Sequence, residues 1–99
     1  MLSEIELVTY ELLSKEFLNL PIVSKEILIT ALQEAIIYLL IHDLEKLWNI
    51  LYRIDVNETK VKALFDKNKP EEIAPEMAEL IYERLVQKAK TRIEYRENK

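Results

Sequence analysis

Glycine is absent from this 99-residue chain. Phosphate-cradling loops, nucleophile elbows and dinucleotide fingerprints all need it, because their backbone takes positive φ or approaches a ligand closely. The common nucleotide-binding motifs are therefore excluded. Cysteine is absent too, which rules out a disulfide framework and any thiolate metal site and leaves the redox compartment unmarked. Histidine occurs once and proline three times. The opening stretch MLSEIELVTYELL has no basic n-region and places Glu4, Glu6 and Glu11 where a secretory signal would be apolar, so a cytoplasmic location is the expectation.

What is present is a folding sequence. Hydrophobic residues make up 49% and charged residues 32%, and the length suits one domain with a modest core. Residues 1–99 are accordingly expected to form a single domain; no internal repeat, low-complexity segment or boundary interrupts them. The most apolar stretch is Ile27–Ile41, in which only Thr30, Gln33 and Glu34 are polar. A bilayer span takes roughly 20 apolar residues. This run is shorter, holds Glu34 near its middle and closes on His42 and Asp43. An ionised carboxylate inside a lone span is costly, so the sequence predicts a buried helix around which the bundle is organised, and no membrane partner.

Four to five helices can be placed. Ser3 and Glu6 have capping-box spacing, with Leu2 placed to staple onto Leu7. Ile5, Val8, Leu12 and Leu13 then recur at helical spacing to about Leu18, before Asn19 and Pro21 end the helix. Ser24 is the expected N-cap of the second helix. Its first half carries a polar stripe of Glu26, Thr30, Gln33 and Glu34. Extending that stripe reaches Ile37, Tyr38 and Ile41, so from Ala35 to Ile41 the helix is apolar all round. Such a segment needs cover, from its own chain or another. A strand there would find no second strand to pair with. Asp43 either caps a third helix through Leu44, Leu47, Trp48, Leu51 and Ile54 or lets the second continue with a bend. Asp55 and Glu58 repeat the capping offset before a short helix at about Val56–Lys67. The last helix starts between Glu71 and Glu76, with Pro75 in its first turn, and runs toward Tyr95 on Met77, Leu80, Ile81, Leu85, Ala89 and Ile93.

The segments LYRIDVNE (Leu51–Glu58), EIAPEMAELIYER (Glu72–Arg84) and QKAKTR (Gln87–Arg92) resemble a group of small uncharacterised bacterial proteins of conserved-hypothetical type. The resemblance covers the C-terminal half. It implies a small helical cytoplasmic protein and brings neither an activity nor catalytic residues.

Candidate chemistry is sparse. His42 can share a helical side with Glu34, Tyr38 and Glu45, but di-metal bundles use a Glu-x-x-His element from each of two helices. One reversed, unrepeated element falls short of that ligand count, so no metal or cofactor is expected; a histidine at a helix C-terminus interacting with the dipole accounts for it. Ser3 and Ser24 have capping roles, and no histidine sits on an organised loop beside Ser14 or the threonines, so catalytic residues are absent from the reading and an enzyme is not expected. Arg53 and Asp55 lie among Tyr52, Ile54 and Val56, which suits a capping aspartate with the Arg53 stem over the core; a ligand-binding arginine is the other reading. A small-molecule pocket between helices has no residue signature.

The charge is uneven. Residues 1–83 hold eight Lys and Arg against sixteen Asp and Glu; residues 84–99 hold six against two. Arg84, Lys88, Arg92 and Arg96, spaced by four, form a basic stripe. It could track phosphates, but the dipole favours cations in the last turns of any helix, the pI is about 5.1, and only Tyr95 is at hand for stacking. A solvated face, or docking on an acidic surface of a partner protein, is the better match, and nucleic acid the poorer one. The sequence thus predicts an all-α, single-domain bundle of four to five helices. The function it favours is a non-enzymatic protein–protein interaction or homodimerisation module using Ile37, Tyr38 and Ile41. The alternative is a nucleic-acid- or ribosome-associated factor using the basic stripe.

Overall fold

The computed structural model describes residues 2–17, 20–21, 24–67 and 69–97, and every regular element among them is helical. The first helix, α1 (Glu4–Glu16), starts from a complete capping box. Ser3 Oγ accepts from the Glu6 N–H and Glu6 Oε1 accepts from the Ser3 N–H, both at 3.1 Å. The Ser3 N–H donating to the carboxylate, and then the Ser3 hydroxyl beside it, hold the Glu6 carboxyl below its ordinary pKa. The expected end at Leu18 and Asn19 lies outside the described residues. Leu7, the expected staple residue, is left 46% exposed. The buried face is Val8, Thr9, Tyr10 and Leu13; Thr9 hides its hydroxyl by donating to the Ile5 carbonyl at 2.7 Å.

Ser24 caps α2 (Lys25–His42), accepting from the Ile27 N–H at 3.2 Å. Asp43 ends one helix and starts another rather than bending a single one. Its backbone leaves helical angles (φ −155°, ψ 70°), its N–H closes α2 on the Leu39 carbonyl, and its side chain caps α3 (Leu44–Ile54) by accepting from Lys46 N–H. One aspartate serves two helices.

The next corner differs from the sequence expectation. Asp55 is not the N-cap of the fourth helix; it is the left-handed residue after α3, at φ 61° and ψ 51°. Its N–H bonds the Tyr52 carbonyl and the Val56 N–H bonds the Leu51 carbonyl, each at 3.2 Å. This is the Schellman pattern, usually made with glycine. A short polar side chain tolerates the left-handed region best among the residues that carry a Cβ, so a glycine-free chain closes the helix with aspartate. Asn57 then caps a helix shorter than expected, α4 (Glu58–Leu64), through Lys60 N–H at 3.0 Å.

The last helix, α5 (Pro70–Glu97), has 28 residues and spans roughly 42 Å at 1.5 Å per residue. Pro70 takes the first position, where its missing N–H is harmless, and Pro75 sits inside the helix rather than in its first turn. The molecule measures 46 × 28 × 18 Å; one long helix sets the length, and two helix layers set the thickness. α5 is the organising element, not α2. It packs against each of the other four helices, and among the described residues the other side-by-side pairing is α2 with α3. Small side chains let this happen: Ala74, Ala78 and Ala89 are wholly buried between Ile73, Met77, Ile81, Tyr82, Leu85 and Ile93. α1 packs on α5 with Val8 against Ala89 and Ile93, and Glu4 meets Arg96 at 2.9 Å. No helix among the described residues is long and apolar enough to cross a membrane.

Candidate interaction surface

α2 buries a single narrow stripe, Leu28, Leu32, Ile36 and Leu39. The spacing places those residues on one side of the helix and leaves the opposite side to solvent. Of the residues that the sequence singles out, Ile37 is half-buried at the edge of the core, whereas Tyr38 is 62% and Ile41 59% exposed. Leu44, just past the Asp43 break, adds a third exposed apolar side chain. The structure therefore brings Tyr38, Ile41 and Leu44 to the surface together, with Ile37 at the margin. The sequence expectation places Leu44 with Leu47, Leu51 and Ile54 on the apolar face of the third helix; the structure buries those three and leaves Leu44 exposed. His42 lies against Tyr38, ring centroids 4.6 Å apart at an interplanar angle of 38°. Its neighbour is thus an aromatic face, and among the described residues no group of three or more His, Asp or Glu is placed to hold a metal ion.

The basic stripe is divided. Arg84 Nε donates to the Asp55 carbonyl at 3.0 Å and Lys88 Nζ to the Arg53 carbonyl at 3.4 Å. Both cations thereby close the C-terminal end of α3, where unpaired carbonyls and the dipole favour positive charge. Arg96 pairs with Glu4. Arg92 is exposed and makes no hydrogen bond or ion pair among the described residues. Three of the four stripe residues are engaged within the chain, with the end of α3 and the start of α1 rather than with the last turn of α5 itself.

Arg53 lies on the surface and holds Glu16 with Nε at 3.2 Å and Nη2 at 2.7 Å from Oε2. That bond, and then the carboxylate's charge, raise the guanidinium pKa. The pair ties the end of α1 to α3. The serine hydroxyls are occupied by the backbone: Ser3 and Ser24 as caps, and Ser14 donating to the Tyr10 carbonyl at 2.8 Å.

One pair of phenols was not visible in the sequence as a unit. Tyr10 is 1% exposed, and its hydroxyl has no hydrogen-bond partner among the described residues. It lies near Tyr82 of α5, whose phenol is pushed up to about 12 by burial first, then by the charge of Tyr10 and by the proximity of the two hydroxyls, which falls short of a well-formed hydrogen bond, and more weakly by Glu6. Lys25 stands over the Tyr82 ring, its ammonium 5.1 Å from the centroid. No protein-family model matches the chain, and neither does any curated protein or solved structure.

Proposed function

We propose that this chain is a non-enzymatic helical association module that works as a homodimer through the outer face of α2. The observation that carries the reading is the exposure of Tyr38 and Ile41 beside Leu44, since contiguous apolar surface on a small domain marks an interaction site. A slab only 18 Å thick has no third layer to cover that face. Two-fold dimers are the commonest way for a chain to cover its own patch.

The test is sedimentation equilibrium at micromolar concentration. The wild type should sediment as a dimer, and Tyr38→Glu combined with Ile41→Glu should give a monomer with unchanged helical circular dichroism. Ile37→Glu is the poorer probe, because its half-buried side chain would also disturb the core. A wild-type monomer at these concentrations would sink the proposal.

A further inference from the structure

α2 carries a second row of side chains on the face away from the core. Ile27, Ala31, Glu34, Tyr38 and Ile41 are spaced alternately by four and three residues, the heptad spacing that keeps one row facing a partner helix. Ile27, Glu34, Tyr38 and Ile41 are exposed and Ala31 is half-buried. Turned end for end about Glu34, the row is complementary to itself. Ile27 comes opposite Ile41, small Ala31 opposite large Tyr38, and Glu34 opposite its own copy.

The surface has the matching relief. A shallow depression of about 310 Å³ is lined by Glu26, Ile27, Thr30, Ala31 and Glu34. Ile27, Thr30, Ala31 and Glu34 stand at i, i+3, i+4 and i+7, the four positions that form a hole in knobs-into-holes packing. Tyr38, 62% exposed, lies four residues beyond Glu34, and the hole is centred about the same distance before it.

We infer that a second copy docks by antiparallel pairing of α2 with α2 about a two-fold axis at Glu34, each Tyr38 seated in the partner's Ala31 hole. The inference rests on the homodimer reading and specifies its geometry. A parallel pair would set Tyr38 against Tyr38 and leave both holes empty, which close packing disfavours. The antiparallel arrangement also lays the positive N-terminal end of each α2 beside the negative C-terminal end of the other. From the exposed fractions of Ile27, Tyr38, Ile41 and Leu44, each copy offers roughly 350 Å² of large apolar side chain. A standard interface buries about 800 Å² per partner; these side chains supply somewhat under half of that, and Thr30, Ala31 and Glu34 along the same face add to it. The two Glu34 carboxylates meeting at the axis repel when both are ionised. They fix the register at a cost in affinity, as a polar residue in a heptad seam does.

Because the chain has no cysteine, single cysteine variants report the register directly. Under mild oxidation, Glu34→Cys should form a disulfide dimer. An equal mixture of Ile27→Cys and Ile41→Cys should form the mixed disulfide, and Ile41→Cys alone should stay reduced. Glu34→Gln should tighten the dimer several-fold at neutral pH. Self-linking of Ile41→Cys without the mixed product would overturn the antiparallel register while leaving the homodimer intact. A dimer by sedimentation with no cross-link in any variant would place the interface off α2. A monomer by sedimentation would instead remove the homodimer reading itself.

Discussion

Tyr10→Phe should make this protein more stable, which is unusual for a change at a residue only 1% exposed. The substitution keeps the ring, which belongs to the main core beside Leu13 and Tyr82, and deletes a hydroxyl that has no hydrogen-bond partner among the described residues. A buried polar group left unsatisfied costs about 1–3 kcal/mol. The Tyr82 hydroxyl is close enough to relieve part of that cost without completing a well-formed hydrogen bond, so the expected gain is at the low end, about 1 kcal/mol. For a domain of this length that raises Tm by about 4–8 °C. In urea the midpoint should rise with no change in slope, because the surface exposed on unfolding is the same. Tyr10→Ala provides the opposite control: losing the whole ring should cost about 3–5 kcal/mol. If Tyr10→Phe lowered stability by about 1 kcal/mol or more, the hydroxyl would be satisfied in solution and the reasoning would fail.

Alkaline pH should weaken the fold through Tyr82. Its phenol is pushed up to about 12 in the folded state and titrates near 10 when unfolded. The unfolded chain therefore loses this proton first, and the contribution is full below pH 10 and disappears as pH rises from about 10 to 12. The loss is roughly 2 kcal/mol; urea unfolding at pH 9 and pH 12 should show it in the wild type, and Tyr82→Phe should flatten that part of the dependence. At the α3 corner, Asp55→Val should be less stable than Asp55→Gly by about 1–2 kcal/mol, because a branched side chain resists the left-handed backbone. Equal urea midpoints for the two variants would contradict that geometry.

Local chemistry was the most legible part of the sequence. Ser3 with Glu6, Ser24 and Asp43 each place an oxygen within three residues of the N–H it receives, so their caps need no information from the rest of the fold. The Asp55–Glu58 spacing had the same form and a different outcome. Asp55 closes the preceding helix and Asn57 opens the next, a choice made by how α3 meets Val56 and Arg84 rather than by the offset. The central helix differs from the sequence expectation for a related reason. Apolar density points to Ile27–Ile41, but density does not say how much of a helix is covered; α2 buries four residues and α5 nine. Three of those nine are alanines, whose contribution is to admit a neighbouring backbone. Tyr38 and Ile41 could be picked out as needing cover, and the fold leaves them exposed. The Ala31 depression could not, because a hole in a surface depends on which neighbours stand beside it.

The position of α5 also bears on how the chain is made. Each of the other helices finds its principal or shared packing partner in an element that follows all of them in the chain. Protein synthesis proceeds at about 5–20 residues per second, so the roughly 80 residues between the end of α1 and the end of α5 take on the order of 4–16 s to add. During that interval α1 has no opposite face for Val8, Tyr10 and Leu13, and α2 has only α3. A nascent chain with α1 to α4 complete holds the parts of a core without its keel, and collapse to the native packing follows the emergence of the last helix.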